Sequence, residues 1–447
     1  MQQTELISLT DSQAKQGKLM YIIEAALEYF IAIIIAGQYL TNLSIHLGVD
    51  QAYSNILLSF VQLGYVFQLF GLLLAKKKRV KGLVILLHSI NQLAFALIYL
   101  VPFVPVTQTF KHIFFVAFLV IGYFLSNFIN APKLSWYMSF VGKHERGKFT
   151  ATKEMWSLFG GMVFSYIISF VIEHFQNAGQ IETAFLISAI AIFILTAGHT
   201  LTMIFTPNVE LPTSSSSFGR SLLEVFTSKK AWKVFVVQIV FSIIATMALN
   251  PMIPFMKYPK EEFGLGFTGI TLFGLTIQTE IFFATVSAIG AIARISVSRP
   301  MGRFADKYSF KNSTSLCYSL LAVALLFATF ISDGVAPIFY IIFMIIYSFS
   351  MAGINSGIIN LLYEEVPAEQ RTSAYALQQF VAGIIGFGFS FVASTFIKAV
   401  QNGGGKLLGL YAQQWLCIFG VLLTIGLVIY VQLVLNKKQK GKAKENE

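Results

Sequence analysis

The stretch Arg299-Pro-Met-Gly-Arg-Phe-Ala-Asp-Lys-Tyr-Ser-Phe-Lys311 lies between two long apolar runs, and its reading decides the fold. A short basic segment in that position is what an inner-face connection between two membrane helices looks like, because Lys and Arg are retained on that side. Pro300 punctuates the turn, Gly302 allows two helix ends to approach closely, and Asp306 is placed to face a helix N-terminus. The segment reads as a loop and a hinge, with Gly302, Arg303, Asp306 and Lys307 as gating residues.

Composition agrees with membrane helices on either side of it. Apolar residues make up 56% of the 447, charged residues 12%, and the mean hydropathy is +0.70, which fits no soluble class. The net charge of +11 comes from basic residues in short connections, so inner-face retention explains it and nucleic acid is not implied. Cys317 and Cys417 both lie inside apolar runs and make neither a disulfide framework nor a metal site.

Taking a span as ~20 apolar residues with tilt allowed, twelve are expected, the first over 20–47 and the eighth over 271–297. A Ser-rich, Pro-punctuated break interrupts the hydropathy after the sixth. The expected organisation is a cytoplasmic segment 1–19, a six-helix half 20–206, a cytoplasmic linker 207–231, a second six-helix half 232–435 and a basic cytoplasmic tail 436–447. With both termini inside, 26 of the 32 Lys and Arg fall on the inner side, and five, Lys111, Lys257, Lys260, Lys398 and Lys406, fall outside. The remaining one, Lys133, falls within a span.

Sliding one half on the other at an offset of 225 places Ile129-Asn130 on Ile354-Asn355, Arg146 on Arg371, Gly161 on Gly386 and Phe164-Ser165 on Phe389-Ser390. The halves therefore read as a duplication. Arg146 and Arg371 head equivalent inner loops and join the gating set.

Gly302-Arg-Phe-Ala-Asp-Lys-Tyr308 resembles the signature loop of the major facilitator superfamily, which lies between the second and third helices of each six-helix half. In that family the Asp takes part in a charge network that opens and closes as the halves rock, and Arg303, Asp306 and Lys307 are the matching positions. The resemblance implies an all-α membrane protein of twelve transmembrane helices in two six-helix pseudo-repeats. The first-half counterpart, Gly71 to Lys81, departs from the pattern. Ala75 or Lys76 stands where an Asp is expected, so the inner gate is expected to depend on Asp306 alone.

Ionisable groups inside spans are costly and are functional candidates by default. Glu24 and Glu28 lie four apart on one face of the first span, and Lys133 lies at similar depth in the fourth. A Lys opposite two carboxylates lowers the cost of burying them and leaves one free to exchange protons. Glu280, in the outer half of the eighth span, has no buried cation visible near it in sequence and is the fourth proton-coupling candidate. The resemblance places the first and fourth helices of each half along a central cavity, which agrees with this choice. His88 and His199 lie alone in peripheral spans, and an isolated His more often packs than acts, so both are left out.

Asn130, Asn355, Asn360 and Gln378 are candidates for hydrogen-bonding solute, with interhelical bonding as their competing role. Asn250-Pro-Met-Ile-Pro254 frees backbone groups near the outer end of the seventh span and marks an outer gate at Asn250, Pro251 and Pro254. No nucleotide-binding loop, zinc spacing or nucleophile elbow occurs, so no cofactor, resident metal or catalytic residue is assigned. The reading is a secondary transporter of the cell membrane, bacterial and monomeric, moving a small polar organic solute with protons by alternating access. An exporter of amphipathic compounds is the first alternative and a non-transporting sensor or scaffold the second.

Overall fold

The structure is a computed structural model and describes residues 10–74, 80–142, 145–209, 218–272, 274–367 and 370–435. The departure expected at Ala75 and Lys76, and the basic tail 436–447, lie outside the described residues. Among the described residues twelve helices are long and apolar enough to cross a membrane.

In the first half these are α1 (Asp11–Ile34) continued by α2 (Gly37–His46), α3 (Gln51–Leu58) continued by α4 (Phe60–Leu74), α5 (Lys81–Ile98), α6 (Gln108–Met138), α7 (Arg146–Asn177) and α8 (Ile181–Phe205). A short helix, α9 (Phe218–Phe226), occupies part of the expected linker. The seventh span is broken: α10 (Lys229–Ile244) passes through a π turn at Ala245–Leu249 into α11 (Met252–Lys257). α12 (Thr279–Tyr308), α13 (Phe310–Ala328), α14 (Ala336–Glu365), α15 (Arg371–Asn402) and α16 (Ala412–Tyr430) complete the set. α7 and α15 each begin at their Arg and each run 32 residues, so both ends of the pair keep the offset of 225.

Two expectations are corrected. Residues 299–311 are not a loop, because α12 continues through Pro300 and Asp306 to Tyr308 and α13 begins two residues later. Pro is tolerated inside membrane helices, and basic side chains reach solvent from a helix as readily as from a loop. The whole turn is Ser309, at φ 139°, whose side chain accepts from the Asn312 amide. Gly302 makes no close approach, since a Cβ there would meet nothing within 4 Å. The second correction concerns the start of the eighth span. Its expected first residues form an antiparallel hairpin, β1 (Gly269–Leu272) with β2 (Leu275–Gln278). A second hairpin, β3 (Lys406–Leu407) with β4 (Leu410–Tyr411), precedes α16.

The chain forms two compact units, residues 1–39 with 67–217, and residues 40–66 with 218–447. In the first unit, α1 packs on α7 and α8, and α5 packs on α6 and α8. Pro132 inside α6 has no N–H, so the Phe128 carbonyl loses its helical donor. Gly71 of α4 lies against that oxygen, where a Cβ would stand 2.1 Å away.

In the second unit α13 packs most extensively on α14, and α15 packs on α10 and α3. Residues 40–66 are joined to this unit by polar contacts. Asn55 donates to the Ser390 carbonyl at 3.4 Å, Asn250 to Ser59 at 3.0 Å, and Ser242 to Gln62 at 2.9 Å.

Candidate functional site

The first unit carries a buried cluster of ionisable groups. Glu24 and Glu28 project from one face of α1, and Lys133 approaches from α6 one residue beyond the proline. Lys133 Nζ donates to Glu24 Oε1 at 3.2 Å and to Glu28 Oε2 at 2.6 Å. The Glu24 side chain has no exposure, Lys133 has 9% and Glu28 has 31%, so of the three only Glu28 is appreciably exposed. These three sequence candidates therefore meet.

Two further groups complete the cluster. His199 of α8 lies with Nε2 3.0 Å from Glu24 Oε1, and His88 of α5 lies with Nε2 3.1 Å from His199 Nε2. A carboxylate held by an ammonium is an acceptor, so His199 Nε2 carries the hydrogen and donates to it. His88 Nε2 then faces the same hydrogen with its lone pair. Next to the imidazoles, Ser89 and Thr200 bond at 2.8 Å, so two successive contacts set the register of α5 on α8. Both histidines have no exposed side-chain surface. Sequence reasoning missed them because the partners of His199 are 111 and 175 residues away and no local spacing marks the convergence.

Aromatic packing closes one flank of the cluster. Tyr21, one turn before Glu24, stacks on Tyr137 with ring centroids 4.4 Å apart, and Lys153 Nζ lies 4.7 Å above the Tyr21 ring. Trp136 beside it donates to the Pro207 carbonyl at 3.1 Å.

The second unit holds a separate buried pair. Glu280, in the first turn of α12, accepts from Lys257 Nζ at 2.5 Å, with side chains 2% and 4% exposed. Lys257 ends α11 and lies 5.7 Å from the Phe283 ring centre. It is the cation that the sequence did not place near Glu280, because the broken helix and the hairpin carry the chain back.

The remaining candidates are more dispersed. Asn130 is half-buried in the first unit, while in the second Asn355 is exposed, Asn360 half-buried and Gln378 buried, its Nε2 donating to the Val234 carbonyl at 3.4 Å. Asp306 and Arg303 are exposed on α12, no ion pair of either occurs among the described residues, and Lys307 lies 5.1 Å above the Tyr308 ring. Arg146 starts α7, while Arg371 donates to the Tyr363 carbonyl at 2.9 Å and lies over its ring. Asn250, Pro251 and Pro254 follow the π turn, where the Asn250 amide reaches back to the Ala245 carbonyl at 2.9 Å.

Solved structures with the same fold include the nucleoside transporter NupG, at 16% identity and TM-score 0.61 over 94% of this chain and 98% of that one. A D-xylose-proton symporter is similar at 14% identity and TM-score 0.65 over 92% and 97%. An auto-inhibited POT family peptide transporter is similar at 13% identity and TM-score 0.64 over 94% and 97%. Comparison with curated protein sequences returns no match. The sequence profile described as Major Facilitator Superfamily matches residues 19–391. Spanning most of the chain and both halves of a twelve-span fold, that match establishes that the protein belongs to the Major Facilitator Superfamily, a family of membrane transporters.

Proposed function

We propose that this transporter moves a small polar organic solute across the cell membrane by alternating access and couples the movement to protons. The observation that carries the reading is the buried cluster, in which Glu24, fully enclosed between spans, is held by Lys133 and His199. Burying an ionisable set is costly, and a scaffold gains nothing from it. With two carboxylates and one ammonium, the cluster has one negative charge left to accept a proton. Protonating Glu24 or Glu28 removes one of the attachments of Lys133 and changes the energy difference between inward and outward arrangements. Glu28 is the exposed edge of the cluster, and His199 and His88 continue it between the spans.

Glu280 is assigned to the same coupling role in the second unit, where Lys257 neutralises it. Asn130, Asn355, Asn360 and Gln378 are assigned to solute. Gly302, Arg303, Asp306, Lys307, Arg146 and Arg371 are assigned to the inner gate, and Asn250, Pro251 and Pro254 to the outer. The distribution of Lys and Arg supports assigning both termini to the cytoplasm, and the working form is assigned as a monomer. The nucleoside transporter and the D-xylose-proton symporter of similar fold accord with a polar organic cargo.

The test is reconstitution in vesicles and a screen of sugars, nucleosides, organic acids and amino acids for a solute-induced change of internal pH. A solute-dependent signal that disappears in the Glu24→Gln, Glu28→Gln double variant is the expected result. Undiminished proton-driven uptake in that variant would remove the coupling site.

A further inference from the structure

We propose that Glu24, Glu28, His88 and His199 together form a binding site for a divalent transition-metal cation of the zinc class, with the Lys133 ammonium as its built-in competitor. One oxygen or nitrogen from each of the four side chains lies within 4.8 Å of the other three. The closer separations are 3.0 Å for Glu24 Oε1 to His199 Nε2 and 3.1 Å for His199 Nε2 to His88 Nε2. His88 Nε2 lies 3.5 Å from Glu28 Oε1 and 3.8 Å from Glu24 Oε1. Metal bonds of 2.0–2.1 Å in a tetrahedron set ligand atoms about 3.3–3.4 Å apart, so these four separations bracket the value a bound ion imposes. Two imidazoles and two carboxylates are also the donor types such an ion takes.

Charge points the same way. Two carboxylates with one ammonium carry a formal charge of −1 inside membrane spans, whereas a dication in place of the ammonium brings the site to zero. The ammonium already occupies a cation position, bonded to Glu24 at 3.2 Å and to Glu28 at 2.6 Å. Lys has four rotatable carbons and withdraws from a site without moving the backbone. A dication also resolves the contact between the two Nε2 atoms, because both imidazoles then offer lone pairs to it. Glu24 Oε2 and His199 Nδ1 are buried with no hydrogen-bond partner among the described residues. The oxygen is available as a further ligand atom, and the ring nitrogen lacks the outer acceptor that tightens metal-binding histidines. That combination suits an ion that is bound and released over one that is kept. The half-exposed Glu28 is the point of entry.

The inference stands on the donor geometry and not on the organic-solute reading, and its test needs neither solute nor pH gradient. Full-length protein in detergent, stripped with chelator, is titrated with Co²⁺, whose tetrahedral complexes absorb visible light far more strongly than octahedral ones. About one ion per chain in a tetrahedral site with two imidazoles counted by X-ray absorption is the expected result. Lys133→Gln is expected to tighten binding by about tenfold or more, since it removes a competing charge from the site. Absence of saturable Co²⁺ binding by the wild-type protein, or a bound ion with an octahedral, imidazole-free shell, would overturn the proposal. Where Lys133→Gln does not fold, the wild-type titration and the imidazole count decide. Loss of proton coupling with Co²⁺ binding intact, or the reverse, tells failure of one reading from failure of the other.

Discussion

Replacing Lys133 by Met keeps the length and apolar stem of the side chain and removes only the charge. Glu24 then stays in a site with no exposure after losing a hydrogen bond of 3.2 Å, while Glu28, with 31% of its side chain exposed, is the less enclosed of the two carboxylates. Removing one partner of a buried pair costs about 3–5 kcal/mol, because the remaining charge has no solvent. His199 still donates to Glu24 at 3.0 Å, which places the expected loss at the lower end, about 3 kcal/mol. The assay is thermal unfolding in detergent of four proteins: wild type, Lys133→Met, Glu24→Gln and the double variant. If the loss comes from a stranded carboxylate, the double variant recovers most of the stability lost in Lys133→Met. A double variant no more stable than Lys133→Met would refute the reasoning and assign the loss to packing around α6.

Gly71→Ala sets a methyl group 2.1 Å from the Phe128 carbonyl oxygen, a backbone atom with little room to yield, and is expected to destabilise by about 1–3 kcal/mol in the same assay. Gly386→Ala meets Ser242 Oγ at 2.1 Å and displaces a hydroxyl that bonds Gln62 and the Ala382 carbonyl; lost thermal stability is expected, and a wild-type melting curve would count against the close approach. Asp333 accepts from the Tyr411 hydroxyl at 2.7 Å and from Lys260, which together hold its carboxyl below the usual aspartate range against the opposing effect of burial. Its contribution to stability is present above the unfolded aspartate value of about 3.9 and is lost as pH falls through the lower folded value. Asp333→Asn is therefore expected to be less stable than wild type at neutral pH, with the difference closing in strong acid. Asp306→Asn is expected to change the accessibility of cysteine probes at the inner gate, and unchanged labelling would remove Asp306 from the gating set.

The spans were legible because each carries its own signal of some twenty apolar residues, and the pairing of α7 with α15 followed from Arg146 on Arg371, Gly161 on Gly386 and Phe164-Ser165 on Phe389-Ser390. The hairpin 269–278 was misread because Ile270, Leu272, Leu275 and Ile277 are as apolar as a helix. Their alternation with Thr271 and Thr276 around Gly274 was the missed sign of strands. Pro300 reads as a stop because in water Pro usually ends a helix, whereas here α12 continues through it. Glu24, Glu28 and Lys133 could be joined from sequence because two share a helix face and the third was the one cation inside the spans. Histidines 88 and 199 could not, since their meeting depends on α5 and α8 being neighbours, and hydropathy does not order helices around a bundle.

Residues 40–66 belong by contact to the second unit although they are made with the first. Asn55, fully buried, finds the Ser390 carbonyl 335 residues later. At a synthesis rate of ~5–20 residues per second, that delay is roughly 20 to 70 s. For that time a stretch containing Asn55, Ser59 and Gln62 sits in or near the bilayer without its final hydrogen bonds. The two hairpin-like helices it forms must be held by insertion machinery or by neighbours from its own half until α15 emerges. Assembly of this transporter thus depends on the order in which its halves are born, and a slow or stalled ribosome would extend the interval in which these buried polar side chains lack their partners.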